Sequence, residues 1–307
     1  YYTIDLDALK TISSFNSISL LLALIALAAG MYFDGLRLQR LVKIGGYKLS
    51  IKAVLRVIFS NYFMAMLTPG ASGGAVAQVL VLKSYGVPIS KGTPIVLIRT
   101  VFSIMFLVIM LPLVFLRDAI EIPYISRDML LIFAVLAVIA TLLGTYILQT
   151  KYMRQLVYNL AQRFKAHKTR DWLSKLETLN QGLGLLYKQP IQSFIVFIES
   201  GLSLLCLYCI APALMYAFTP DIPIIDILDR MILLNLILYF APTPGGTGIA
   251  EGLFVVLFST FVPNGTVGIV AVAWRVMAEY LPFFIGMYAV LTLYGRQFVA
   301  QETSKEQ

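Results

Sequence analysis

The sequence predicts an all-α, polytopic membrane protein built as an inverted repeat around two broken, re-entrant helical hairpins. Three observations carry that expectation. Hydrophobic residues make up 59% of the chain and charged residues 13%, with a mean hydropathy of +0.83, well outside the range of soluble domains. One unusual string occurs twice in apolar sequence, as Thr68-Pro69-Gly70-Ala71-Ser72-Gly73-Gly74 and as Thr243-Pro244-Gly245-Gly246-Thr247-Gly248, and each copy is followed by an arginine inside an apolar run, Arg99 and Arg275. Finally, basic residues gather in 34–56 and 151–190, whereas acids mark the segments around Asp118–Asp128 and Asp221–Asp229.

Taken in order, residues 15–33 form a first span, expected to end at Asp34 before Arg37, Arg40, Lys43, Lys48, Lys52 and Arg56. The positive-inside rule makes that end cytoplasmic. Residues 51–67 and 73–85 flank the first string; at roughly 13 to 17 residues each they are short for crossings, so they read as the limbs of a hairpin entering from the cytoplasm. The span 93–116 carries Arg99 outward to Arg117, Asp118, Glu121, Arg127 and Asp128, and 129–150 returns. Segment 151–190 holds eight Lys or Arg against two acids, with Tyr152, Leu156, Leu160, Phe164 and Trp172 interspersed. It reads as amphipathic helix on the inner membrane surface. Residues 191–218 cross outward to a loop with Asp221, Asp226 and Asp229. The limbs 231–241 and 249–262 then form a second hairpin from outside, and 267–294 carries Arg275 and brings Arg296 to the cytoplasm.

One domain over 1–307 results, with repeat one at about 51–116 and repeat two at about 228–294 pointing in opposite directions. The expected location is the plasma membrane, multi-pass, with a cytoplasmic C-terminus. The chain starts at Tyr1 without an initiator Met, which leaves room for a further span before it.

Proline and glycine free backbone groups that hydrocarbon tolerates only where protein or a watery cavity satisfies them. Paired breaks at matching positions therefore point to a transport site. An arginine within a span costs about 2.5 to 3.5 kcal/mol on insertion scales, so it normally faces a cavity or a partner. From the expected span ends, Arg99 and Arg275 lie roughly 9 and 12 Å deep from opposite sides. Guanidinium grips phosphate bidentately, and a broken helix adds free N–H groups. The candidate substrate-binding residues are Arg99, Arg275, Thr68, Gly70, Ser72, Gly73, Gly74, Thr243, Gly245, Gly246 and Thr247, joined by the intramembrane acids Glu199, Glu251 and Glu279. Plainer readings stand beside these. Each arginine can snorkel or pair with an acid, as Arg275 can with Glu279 four residues on. Glu199, next to Ser200 and Ser203, can simply join helices, and the small residues can serve close packing alone.

No catalytic, metal or cofactor constellation emerges. Cys206 and Cys209 have CxxC spacing but no further ligands, and the single His167 lies among basic residues. Neither string carries the lysine of a phosphate-binding nucleotide loop. An enzyme is the weaker class, as a transferase acting on lipid phosphate. The net charge of +8 is accounted for by loops facing anionic lipid, and no nucleic-acid partner is expected.

Thr68-Pro-Gly-Ala-Ser-Gly-Gly with Leu82-Lys83, Gly86 and Arg99, then Pro242-Thr-Pro-Gly-Gly-Thr-Gly248 with Glu251, Trp274-Arg275 and Tyr280-Leu281-Pro282, resembles the flippase-like transmembrane domain of lysylphosphatidylglycerol synthases. The resemblance runs from about residue 15 to 295. It implies movement of an aminoacylated or anionic phospholipid such as lysyl-phosphatidylglycerol to the outer leaflet and, through altered surface charge, resistance to cationic antimicrobial peptides. A polyprenyl-phosphate-linked sugar is the alternative cargo. The family's aminoacyltransferase domain is not among these residues, so a synthase domain or protein at the cytoplasmic face, docked through 151–190, is an expected partner. Self-association is left open. Family members often carry acids where this chain has Ala75 and Ile98, which favours a phosphate-centred substrate over a lysyl-specific one.

Overall fold

Asn16 opens the first helix: its side chain accepts from the N–H groups of Ile18 and Ser19 at 2.5 and 3.3 Å, satisfying donors that a helix start leaves free. In this computed structural model, which describes residues 15–117, 127–147, 184 and 189–303, that helix is α1, Ser17–Ile44. It does not end at Asp34 as the sequence suggested. Asp34 and Arg37 stand three residues apart on one face, pair at 2.5 Å and are only 3% and 6% exposed. Charges neutralised inside the protein give the helix no reason to stop there.

The first hairpin follows the sequence reading closely. Ser50 caps α2, Ile51–Leu67, through a bond from the Ala53 N–H at 3.3 Å, and α3, Ser72–Ser84, returns after the Thr-Pro-Gly break. Next comes α4, Ile89–Leu116. It begins before residue 93, so Arg99 lies roughly 15 Å along the helix rather than 9. Helix α5, Arg127–Ile147, occupies the expected return span. The amphipathic segment expected over 151–190 falls almost entirely outside the described residues.

The single span expected over 191–218 is two helices, α6, Pro190–Tyr208, and α7, Ile210–Met215. Pro212 explains the interruption, because it has no N–H for the Tyr208 carbonyl and its ring crowds that carbonyl. The second hairpin comprises α8, Ile224–Leu238, and α9, Ile249–Phe258. Here too a boundary moves: Asp226 and Asp229, read as loop residues, lie in α8. An acid in a first turn is favoured by the helix dipole, and buried Asp229 pairs with Arg117 at 3.3 Å at the end of α4. The chain closes with α10, Val267–Arg275, a π-helical turn, Val276–Tyr280, and α11, Leu281–Thr303. Within the π turn the Leu281 N–H reaches the Val276 carbonyl, five residues back. Pro282, unable to donate to Ala278, stands immediately after it.

Four stretches are long and apolar enough to cross a bilayer: Ser17–Ile44, Ile89–Leu116, Pro190–Met215 and Val267–Leu293. Among the described residues there is no strand. The main buried core runs from Ala23 on α1 to Trp274 on α10, with a smaller cluster of Leu111, Phe115 and Ala134 between α4 and α5, while Leu21, Ile25, Phe133, Phe194 and Phe240 stay exposed on the outer surface, as expected of helices solvated by lipid. Helices α1 and α6 lie along each other, and Ser203 donates to the Gly30 carbonyl at 2.9 Å.

The two hairpins meet at their tips. Pro69 and Pro244 form an antiparallel β-bridge, which pairs one position of the repeat with its own counterpart. The local two-fold of that antiparallel pairing therefore passes between the strings.

Candidate functional site

Each tip is built from the same turn. Gly70 and Gly245 have φ of +59° and +58°, and the residues after them, Ala71 and Gly246, have +53° and +68°. Left-handed backbone is routine for glycine and costs another residue roughly 1–2 kcal/mol. Ser72 and Thr247 close the turns, donating to the carbonyls of Pro69 and Pro244 at 3.1 and 2.8 Å. Gly73 and Gly74 let α3 lie against α2, since a Cβ there would come within 2.6 Å of the Thr68 side chain and 2.5 Å of Asn61 Oδ1.

The turns differ at one point. Thr68 Oγ1 donates to the Met64 carbonyl and accepts from the Gly73 N–H, both at 2.8 Å. In the second copy the Gly248 N–H is taken by Glu251 Oε2 at 2.7 Å. Thr243, the counterpart of Thr68, is thereby released, and its buried hydroxyl has no hydrogen-bond partner among the described residues.

Between the tips lies a cavity of about 310 Å³. Asn61, Tyr62, Met66 and Gly70 line it from the first hairpin; Asn235, Tyr239, Thr243, Gly245 and Gly246 line it from the second. Tyr208, Trp274 and Glu279 complete the wall. Tyr208 is 3% exposed and its hydroxyl also has no partner. Trp274 is fixed by stacking on Phe254, centroids 5.0 Å apart.

Both span arginines are held by acids and stand behind this wall. Arg99, 6% exposed, is gripped by both oxygens of Asp34, with Nε at 3.1 Å from Oδ1, and its Nη1 donates to Gln78. Gln78 donates in turn to Asn61 at 2.7 Å, carrying the network to the cavity surface. Arg37 joins it through Asp34 and donates to Ser103 at 2.7 Å. Arg275, 1% exposed, donates to Glu251 at 2.8 Å and to the Gly245 carbonyl at 2.8 Å, and forms an ion pair with Glu279. Glu199 is placed elsewhere: it pairs with Arg40 at 2.7 Å, tying α6 to α1, and Gln192 accepts from the same guanidinium at 2.9 Å.

The sequence reading missed Asp34, Arg37, Gln78 and Tyr208. Gln78 was visible as a lone polar residue in an apolar hairpin limb. Asp34 and Arg37, adjoining a basic run, looked like the start of a loop.

The family model described as lysylphosphatidylglycerol synthase TM region matches residues 2–286 of this chain. The chain belongs to that family. A curated relative, the UPF0104 membrane protein of Archaeoglobus fulgidus, is 22% identical over 268 residues, spanning 83% of this chain and 80% of its own length. Both Thr-Pro-Gly strings, both buried arginines and Glu279 fall inside the matched lysylphosphatidylglycerol synthase transmembrane region.

Within that region the charges are unevenly divided. On the first-repeat side two arginines, Arg37 and Arg99, face one carboxylate, Asp34, leaving one positive charge. On the second-repeat side one arginine, Arg275, faces Glu251 and Glu279, leaving one negative charge. Tyr62 lies within electrostatic reach of both clusters, and Tyr239 lies close to Arg37, Arg99 and Ser103.

Proposed function

We propose that this protein moves a phospholipid between leaflets, taking the phosphate-bearing headgroup into the cavity at the hairpin tips while the acyl chains remain in the bilayer. One observation carries the reading: a cavity walled by both repeats holds two hydroxyls, of Tyr208 and Thr243, with no partner among the described residues. A buried polar group left unsatisfied costs about 1–3 kcal/mol, and phosphate oxygens are suitable acceptors for hydroxyl donors. The positive cluster of Arg37 and Arg99 behind Asn61, Tyr62 and Tyr239 gives an anionic group a favourable potential. The cavity sits at the small end of the range for ligand sites, room for a headgroup but not for a whole lipid.

Rocking of one hairpin against the other about that local two-fold exposes the cavity to each leaflet in turn. Membership of the lysylphosphatidylglycerol synthase transmembrane family supports an anionic or aminoacylated phospholipid as cargo, with lysyl-phosphatidylglycerol as the leading member.

The test is movement of fluorescent phosphatidylglycerol across proteoliposomes. Acceleration over protein-free vesicles is expected, with loss of most of it in Arg99→Ala and Arg275→Ala proteins that still fold. Rates equal to empty vesicles reject the reading; rates untouched by both substitutions remove the buried charge clusters from it.

A further inference from the structure

We infer that Glu279 is a proton-binding site coupled to the headgroup site, so that each anionic headgroup entering the cavity is accompanied by one proton. The inference rests on the lipid-translocase reading and adds the ion that travels with the lipid.

The two carboxylates on Arg275 are held unequally. Glu251 is compensated twice: Oε1 accepts from Arg275 Nε at 2.8 Å, and Oε2 accepts from the Gly248 N–H at 2.7 Å, at the start of α9. Both of its carboxylate oxygens are therefore occupied by donors, one of them charged. Glu279 has only a share of a guanidinium that already serves Glu251 and the Gly245 carbonyl. The excess negative charge of the cluster therefore belongs to Glu279, and it is Glu279 that lines the cavity.

The groups facing it come from every element around it. Arg275 is on its own helix, Glu251 is on α9, and Tyr62 is on α2, with Asp34 and Arg37 of α1 and Arg99 of α4 behind that tyrosine. Together, the positive cluster and the negative cluster cancel, so the empty cavity is neutral when Glu279 is ionised. A phosphate diester entering in front of Arg37 and Arg99 brings one negative charge into the cavity. Protonation of Glu279 by solvent restores neutrality: its carboxylate takes one proton and no other bond changes. The independent sign that the cavity takes a polar ligand is the Tyr208 hydroxyl, buried in the same wall and unpartnered.

Linkage is reciprocal. If lipid binding takes up a proton, then rising pH weakens lipid binding, by up to about tenfold per pH unit while Glu279 is ionised in the empty protein.

The experiment is calorimetric titration of the purified full chain with dihexanoyl-phosphatidylglycerol at mildly alkaline pH, in buffers of differing ionisation enthalpy. The dependence of the measured heat on buffer gives the protons taken up per lipid bound. About one proton is expected for the natural chain, none for Glu279→Gln, and recovery in Glu279→Asp. The Gln variant, a mimic of the protonated form, is expected to bind with an affinity that no longer falls with pH. Binding without proton uptake, or binding that requires sodium in place of an organic cation at fixed pH, overturns the inference and leaves lipid translocation standing. Absence of lipid binding in every buffer defeats the translocase reading itself, and the coupling with it.

Discussion

Tyr208 and Asp34 are opposite cases of buried polarity. The Tyr208 hydroxyl is unsatisfied, so Tyr208→Phe is expected to leave the thermal midpoint unchanged or slightly raised while weakening phosphatidylglycerol binding by roughly tenfold, the loss of about 1.4 kcal/mol. Asp34, by contrast, serves two arginines at once. Asp34→Asn leaves Arg37 and Arg99 uncompensated, and removing one partner of a buried pair typically costs about 3–5 kcal/mol. A marked drop in melting temperature is expected, partly reversed by adding Arg37→Gln, and a double-mutant cycle on thermal unfolding measures the coupling. Equal stability of Asp34→Asn and the natural chain would show that the network is not supporting the fold. Arg99 and Arg275 were legible in the sequence because a charge in an apolar run is conspicuous. Asp34 was not, since its burial depends on α4 crossing it at Arg99 and nothing in the neighbouring residues announces that approach.

The broken helices show what local chemistry can and cannot specify. Both Thr-Pro-Gly breaks and the limbs of the first hairpin were readable to within a residue or so, because Pro and Gly act on the backbone around them, whereas α8 begins at Ile224, well before the limb expected from 231. The interruption of α6 and α7 and the π turn were missed although Pro212 and Pro282 were in plain view; a proline inside a span can kink a helix or divide it, and packing decides between these outcomes. The two repeats also assign the same duty to different side chains: Thr68 holds the Gly73 N–H, whereas Glu251 holds that of Gly248. An asymmetry between matched substitutions follows. Thr68→Ala is expected to cost about 1 kcal/mol of stability, the usual loss for a helix cap, with a lower unfolding midpoint. Thr243→Ala is expected to leave the midpoint unmoved and to reduce lipid affinity. Identical behaviour of the pair in both assays would contradict the division of labour.

The bridge between Pro69 and Pro244 makes the two hairpins a single joint for the molecule as a whole. Opposed residues of an antiparallel pair have Cα atoms about 4.5–5.5 Å apart, inside the range a disulfide needs. In a background with Cys206 and Cys209 replaced by alanine, Pro69→Cys with Pro244→Cys is expected to oxidise readily and halt lipid movement in vesicles, and reductant is expected to restart it. Unimpeded movement through the cross-linked protein would place the moving parts elsewhere. The duplication of the broken hairpin was legible from the repeated string, but the contact of the tips was not, because no residue in either string encodes its distance from the other. The opposed clusters around Arg99 and Arg275 have an electrical consequence. A membrane potential does work of about 2.3 kcal/mol on each elementary charge per 100 mV crossed. With one surplus charge of each sign, the unloaded carrier presents none to that field. On the proposed translocase cycle its return stroke is expected to draw no current, and lipid movement in vesicles is expected to be the same with and without an imposed potential.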